Sequence, residues 1–297
     1  MRCPACLIET GSSFDELSRH IYEKQEQTDS EHITWINRYV TRKKVPLSEF
    51  AALARGAFET DDLKKWILDT FIRKFYGESP HAFLLDMQRP TSRILLGYAF
   101  EHHHFLKQWV RSCASIISNT DIEEVQHYEI ENIISEWQGM EGKYPSHHEL
   151  LLRMGESYGA DRQDIYNTAP LKPTAHAVEV WDRICRDFSF VEGMAAMHTL
   201  ELIANKNIRN YGATIGYFDP SILKDGSVTK ETVDFLREGY EADVSHSEVA
   251  LNLIVKYADK LDLIQNVQAV VMKSIEEFDN YLNARLVRGD MVENKQH

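Results

Sequence analysis

The residues of this chain best suited to chemistry are six carboxylate and imidazole side chains in its last two thirds. They are Glu101, Glu136, His147, Glu201, Asp243 and His246. Each lies in a segment with helical periodicity, and a helical bundle could gather all six around two metal ions. Oxygen and nitrogen ligands without a thiolate suit iron or manganese better than a softer metal. Such metals point to dioxygen chemistry rather than to simple binding.

A second possible metal site opens the chain. Cys3 and Cys6 form a Cys-x-x-Cys knuckle, and His20 and His32 follow on two predicted helices. Two thiolates and two imidazoles are typical tetrahedral ligands of zinc, so we predict one structural zinc ion here. The two histidines lie farther apart than in most zinc fingers, and the alternative is a pair of free thiols on a mobile terminus. Acidic residues surround the knuckle, which favours a structural or protein-binding role over DNA recognition.

Composition disfavours several classes of protein. The 297 residues carry a net charge of −13, which argues against a nucleic-acid-binding surface. No run of about 18 apolar residues occurs, so we expect no membrane span. The N-terminus lacks the apolar core of a signal peptide, and four cysteines, two of them in the knuckle, do not indicate a disulfide framework. We therefore expect a protein of the reducing cytoplasm.

Apolar residues recur with the period of an α-helix along most of the chain, and no alternating β pattern appears. The sequence therefore predicts an all-α protein. The predicted divisions are a zinc-knuckle module at 1–44, connecting helices at 45–88 and a helical bundle at 89–290. Ser146 followed by Glu149 predicts a capped helix start just before His147. His198 is predicted to face the same side of its helix as Glu201, three residues later.

Several segments together resemble the ligand helices of the haem-oxygenase-like diiron oxidases. These enzymes are relatives of the thiamin-degrading TENA proteins and of pyrroloquinoline-quinone synthase. In that family an acid at a helix end precedes a Gly-containing loop and a His at the next helix start, as do Glu136 and His147 here. Glu201 lies in the stretch His-Thr-Leu-Glu-Leu-Ile, and Asp243 with His246 looks like the Asp-x-x-His motif of the final ligand helix.

The resemblance covers about residues 90 to 285 and implies a haem-oxygenase-like bundle. It implies that the six acids and imidazoles are ligands of two iron ions, with manganese as a possible substitute. The implied activity is that of a diiron oxidoreductase, which uses dioxygen and an electron donor to oxidise a small metabolite such as an amino-acid-like compound. The aliphatic helix faces of the last third are compatible with a homodimer.

The chain departs from the family pattern at Gly239, four residues before the motif's acid, where the family usually has a histidine. One iron could then keep an open position, or Glu238 or Glu241 could substitute. The remaining alternatives are a single metal ion and a decayed site. His148 is the alternative to His147 as a ligand, and His147 is preferred because the family's His-x-Glu-Leu spacing selects it.

Two functions compete with the oxidase on the sequence alone. Glu101-x-x-His104 and Glu124-x-x-His127 imitate the Glu-x-x-His pairs of ferritin-like iron-binding proteins. The chain could instead be a non-enzymatic scaffold in which the zinc knuckle recruits a protein partner. Iron content separates these possibilities, because a scaffold needs zinc alone.

Overall fold

The computed structural model describes residues 1–139 and 145–293, apart from the side chains of 240–246. The all-α prediction is confirmed: the described ranges contain no strand and only an isolated bridge between Arg2 and Glu9. The α-helices are α1 (Phe14–Glu26), α2 (Ser30–Tyr39), α3 (Leu47–Gly56), α4 (Leu63–Phe75), α5 (Ala82–Met87), α6 (Ser92–Ser118), α7 (Glu123–Ile133), α8 (His147–Ser157), α9 (Arg162–Asn167), α10 (Lys172–Asp187), α11 (Phe190–His198), α12 (Lys230–Lys260) and α13 (Ile264–Glu293). Shorter helical turns are a π-helical turn at Ile134–Gln138 and 3-10 turns at Thr199–Ile203, Ile208–Tyr211 and Pro220–Leu223.

Side-chain caps fix where the helices around the site begin. The Ser146 hydroxyl accepts a hydrogen bond from the backbone N–H of Glu149, so α8 starts at His147 as predicted. The Glu149 carboxylate does not return to the cap, because it binds Arg153 and Arg162 instead. Among the helices of the described ranges, none combines the length and the apolar character needed to cross a membrane.

The central helices α6 and α13 touch through their backbones. A Cβ added at Gly97 would lie 2.1 Å from the carbonyl oxygen of Arg285, and one added at Gly289 would lie 2.6 Å from that of Arg93. Only glycine, which has no Cβ, permits this approach. The crossing holds Arg285 against α6, where its guanidinium carbon lies 3.9 Å from the ring centre of Tyr98.

The N-terminal helices form a small core of their own that docks on α13. Its buried residues are Cys3, Ala5, Leu17, Ile21, Trp35, Ile36, Phe50, Ala54 and Phe58, with Ala269 and Met272 of α13. The indole N–H of Trp35 lies 3.1 Å from the sulfur of Met272, and the hydroxyl of Tyr39 donates to Glu276. Because Phe50, Ala54 and Phe58 belong to this core, it extends past the predicted boundary at residue 44.

Candidate metal centre

A cavity of about 70 Å³ lies between α6, α8, α12, α13 and the turn Thr199–Ile203. Most of its wall is apolar surface, and five acidic or basic side chains reach it: two carboxylates, two imidazoles and one guanidinium. Its lining consists of Tyr98, His102, Phe105, Leu106, Trp109, Glu136, His147, Leu200, Glu201, Ile203, Ala204, Tyr217, Phe235, Leu236, Gly239, Phe278 and Arg285. A few polar groups in an apolar cavity are typical of a small-molecule site.

Glu136 and His147 meet at this cavity from two different helical segments. Glu136 lies in the π-helical turn that ends α7, and His147 is the first residue of α8. Glu136 Oε2 is 3.0 Å from His147 Nδ1, yet this oxygen has no hydrogen-bond partner of correct geometry in the described part of the chain. Two ligands about 2.1 Å from one ion and at right angles lie roughly 3 Å apart. The pair therefore has the spacing of two ligands of a shared metal ion.

A second buried group runs from α7 to the turn after α11. His198 is hydrogen-bonded through Nε2 to Glu129 and through Nδ1 to Glu201, both at 2.8 Å. Burial alone would lower the pKa of His198, but the charges of Glu129 and Glu201 outweigh it and raise the pKa to about 10. Each carboxylate still has one buried oxygen, Oε2, without a hydrogen-bond partner among the described residues. The predicted proximity of His198 to Glu201 is thus observed.

The Glu136–His147 pair and the group of His198 with Glu129 and Glu201 lie at or beside the same cavity, but they do not form one compact cluster. Within the described ranges, only two sets of three or more possible ligands have donor atoms within 4.8 Å of one another. One is the zinc knuckle, and the other is Cys113 with Glu129 and His198. Burial and the nearby charge of Glu129 raise the pKa of the Cys113 thiol, which keeps it neutral.

Helix α12 passes the cavity at Gly239. A Cβ added there would lie 3.7 Å from His147 Cε1, an ordinary van der Waals distance, so a Cβ fits beside the imidazole without a clash. Asp243 and His246 follow four and seven residues later in the same helix, a spacing that returns to one helix face. Their side chains lie outside the described residues, so their predicted role as ligands stays a prediction.

Glu101 is not among the residues that line the cavity, and the structure places a different partner beside it. Its carboxylate is fully buried, accepts a 2.6 Å hydrogen bond from Arg288 Nε and accepts another from the backbone N–H of Leu171. An opposite charge thus compensates Glu101 without any metal ion. His148 also lies apart from the cavity, because it contacts His103 at 2.9 Å and stacks on Trp137.

The N-terminal knuckle brings its four predicted ligands together. Cys3 Sγ lies 3.4 Å from His32 Nε2, Cys6 Sγ lies 3.4 Å from His20 Nε2, and the two imidazole nitrogens are 3.2 Å apart. Ligands of a tetrahedral zinc ion would be separated by roughly 3.3–3.6 Å. Asp29 binds Nδ1 of His32 at 2.7 Å and so directs Nε2 toward the thiols. A hydrogen bond from Cys3 lowers the pKa of Cys6, whereas the same hydrogen bond and burial raise the pKa of Cys3. One thiolate is therefore favoured in advance, and zinc binding would release the proton of the other.

The sequence profile of the TENA/THI-4/PQQC family matches residues 66–288, which include α6 to α12 and most of α13. The chain belongs to this family. A C2H2-type zinc-finger profile matches residues 2–59, which confirms the predicted zinc module. No curated protein matches the chain in sequence.

Solved structures share the fold. A TenA homologue from Pseudomonas syringae aligns with a TM-score of 0.58 at 13% identity, over 74% of this chain and 90% of its own. A protein described as a TenA family transcription regulator, from a Silicibacter species, aligns with a TM-score of 0.57 at 10% identity, over 75% of this chain and 95% of its own. A domain with a haem-oxygenase-like fold from Shewanella denitrificans aligns with a TM-score of 0.56 at 16% identity, over 84% of this chain and 96% of its own. These likenesses confirm the predicted haem-oxygenase-like bundle.

Glu129 is the acid of this region that the sequence interpretation missed. It is fully buried, and it lies seven residues before Glu136. A spacing of seven places two residues on one face of a helix, two turns apart. That spacing was readable in the sequence and is a better guide to the site than the aromatic surroundings of Glu101.

Proposed function

We propose that this member of the TENA/THI-4/PQQC family is a non-haem diiron oxidase that uses dioxygen to oxidise a small molecule in the apolar cavity. The proposal depends above all on one observation. Glu129, Glu136 and Glu201 are carboxylates at or beside this cavity, and each has a buried oxygen without a hydrogen-bond partner among the described residues. Native proteins rarely leave such atoms unsatisfied unless an ion or a ligand completes them.

The donor set fits iron. A buried carboxylate is costly unless a cation compensates it, and a proton on His198 offsets only one of the negative charges. Carboxylate oxygens and imidazole nitrogens are the ligands of non-haem iron. Two divalent ions would satisfy the unpartnered oxygens.

The residues that would hold the ions come from four segments. Glu129 and Glu136 lie on α7 and its π-helical end, His147 starts α8, and Glu201 lies in the 3-10 turn. We propose Asp243 and His246 of α12 as the remaining ligands. Glu238 precedes Gly239, where the family usually has a histidine, and its Oε2 lies 3.7 Å from His147 Nδ1.

Two bound ferrous ions would supply the electrons that reduce dioxygen. The chain's own contribution is the environment. Phe105, Trp109 and Phe235 give the cavity an apolar wall, and electrostatic interactions are stronger in such low-dielectric surroundings than in water. His198, held between Glu129 and Glu201, fixes the orientation of both carboxylates through its two ring nitrogens.

The ferritin-like alternative lacks support in the geometry. Glu101 is paired with Arg288, and the ring of His104 is hydrogen-bonded to the backbone oxygen of Thr168. Glu124 is exposed and paired with Lys256 on the surface. Glu101, His104 and Glu124 are therefore engaged elsewhere, and among the described residues no compact group of possible metal ligands includes them.

Anaerobic titration with ferrous iron tests the proposal against both alternatives. Zinc-containing protein should bind two iron ions per chain and then consume dioxygen in proportion to the iron bound. Storage of many ions per chain would favour the ferritin-like function. A chain that retains zinc but binds no iron would contradict the oxidase function and favour the non-enzymatic scaffold.

A further inference from the structure

Arg285 places a buried cation in the wall of the cavity. Its side chain is 2% exposed and belongs to α13, at the crossing with Gly97. Nη2 donates to the hydroxyl of Tyr281 at 2.6 Å and lies 2.9 Å from Nδ1 of His102, while Nη1 is 3.4 Å from the hydroxyl of Tyr217. Nε has no hydrogen-bond partner among the described residues, although it is buried.

No carboxylate compensates this charge among the side chains that the structure describes. All the hydrogen-bond partners of the guanidinium are hydroxyls or an imidazole, and its flat faces lie against aromatic rings of residues such as Tyr98. Arg288, one turn later on the same helix, is compensated in the usual way, because its buried guanidinium forms an ion pair with Glu101. A buried cation with a free donor and no counter-charge is suited to an anionic ligand.

We infer that Arg285 binds the carboxylate of the substrate, so that the substrate class is a small carboxylic acid with an apolar body. The free Nε–H would donate to the carboxylate, and the hydroxyls of Tyr98 and Tyr217 line the same part of the cavity. The remaining wall is mainly aromatic and aliphatic, which matches an apolar body. The identity of this acid as a substrate rests on the proposed oxidase function, whereas its binding does not.

The same geometry orients the ligand. His102 contacts Arg285 on one side, and on the other its ring centre lies 6.0 Å from that of His147. Its Nδ1 accepts a hydrogen bond from Arg285, so His102 lies between the guanidinium and His147. A carboxylate held at Arg285 would therefore direct the apolar end of the molecule toward Glu136 and His147.

Binding of hexanoate and of its neutral isostere hexanamide tests this inference on zinc-containing, iron-free protein. Titration calorimetry should show that the wild type binds hexanoate more tightly than hexanamide. Arg285→Gln should weaken hexanoate binding about 10- to 100-fold and leave hexanamide binding unchanged, because only the charged hydrogen bond is lost. The double variant Glu101→Gln/Arg288→Met, which removes the neighbouring buried pair outside the cavity, should bind hexanoate as the wild type does.

Two results would overturn the inference: equal binding of both probes by the wild type, or hexanoate binding that Arg285→Gln does not weaken. Arg285→Lys covers the case in which Arg285→Gln does not fold. This variant keeps the positive charge without the guanidinium donors, so it should retain a weaker preference for hexanoate over hexanamide. Equal binding of the two probes by Arg285→Lys would also contradict the inference. Iron titration of the same variants separates the two proposals. A protein that binds hexanoate but no iron would contradict the oxidase function and leave carboxylate binding by Arg285 supported.

Discussion

Replacing Glu201 with alanine is expected to lower the iron content from two ions per chain to one or none, while the helical fold is retained. Glu201 presents a buried oxygen without a described partner next to the cavity, and no other carboxylate of the Thr199–Ile203 turn can replace it. The loss of its hydrogen bond to His198 should reduce the free energy of unfolding by about 1–3 kcal/mol. Metal analysis after anaerobic loading, with circular dichroism of the same samples, measures both effects.

Two control variants sharpen this prediction. Glu124→Ala removes an exposed acid of α7 that pairs with Lys256, and it should leave the iron content unchanged. The double variant Glu101→Gln/Arg288→Met replaces a buried ion pair, a change that is often close to neutral for stability. It should also keep both iron ions. Loss of iron from the double variant, or normal iron in Glu201→Ala, would contradict the assignment of ligands.

Replacing Cys6 with serine is expected to release the zinc ion and unfold the N-terminal module. Zinc binding contributes about 10–16 kcal/mol to the folding of finger-like peptides, and the small core around Leu17 and Trp35 offers little else to replace it. The zinc content per chain should fall to zero, and limited proteolysis should cleave within residues 2–59. The bundle has its own core, so iron binding should persist.

Cys185→Ser provides the matched control for the zinc prediction. Cys185 is as buried as Cys3 but lies in α10, among bundle residues rather than in the knuckle. The variant should keep its zinc and resist proteolysis of the N-terminal module. A Cys6→Ser protein that still binds one zinc ion tightly would show that the four ligands of the knuckle are misassigned.

Local patterns account for what the sequence predicted correctly. Helical periodicity indicated the all-α bundle, and the spacing of Cys3 and Cys6 indicated the zinc finger, because both signals are contained within short segments. The Ser146 cap likewise placed His147 at a helix start. Such features need no knowledge of which distant segments meet.

Long-range pairing explains what the sequence could not provide. Glu101 looked like a ligand because aromatic neighbours suggested burial, but its counter-charge, Arg288, lies 187 residues away. The position of Arg285 in the cavity depends on the backbone crossing of α6 and α13 at Gly97 and Gly289. No motif marks such a crossing, so neither pairing could be read from spacing.

We propose that this chain holds two irons that react together with dioxygen. Mössbauer spectroscopy of protein loaded anaerobically with ⁵⁷Fe(II), recorded before and after exposure to dioxygen, tests it most directly. We predict two high-spin ferrous ions per chain that convert into a spin-coupled ferric pair. Isolated ferric ions, a single iron per chain, or ferrous ions that dioxygen leaves unchanged would contradict the account.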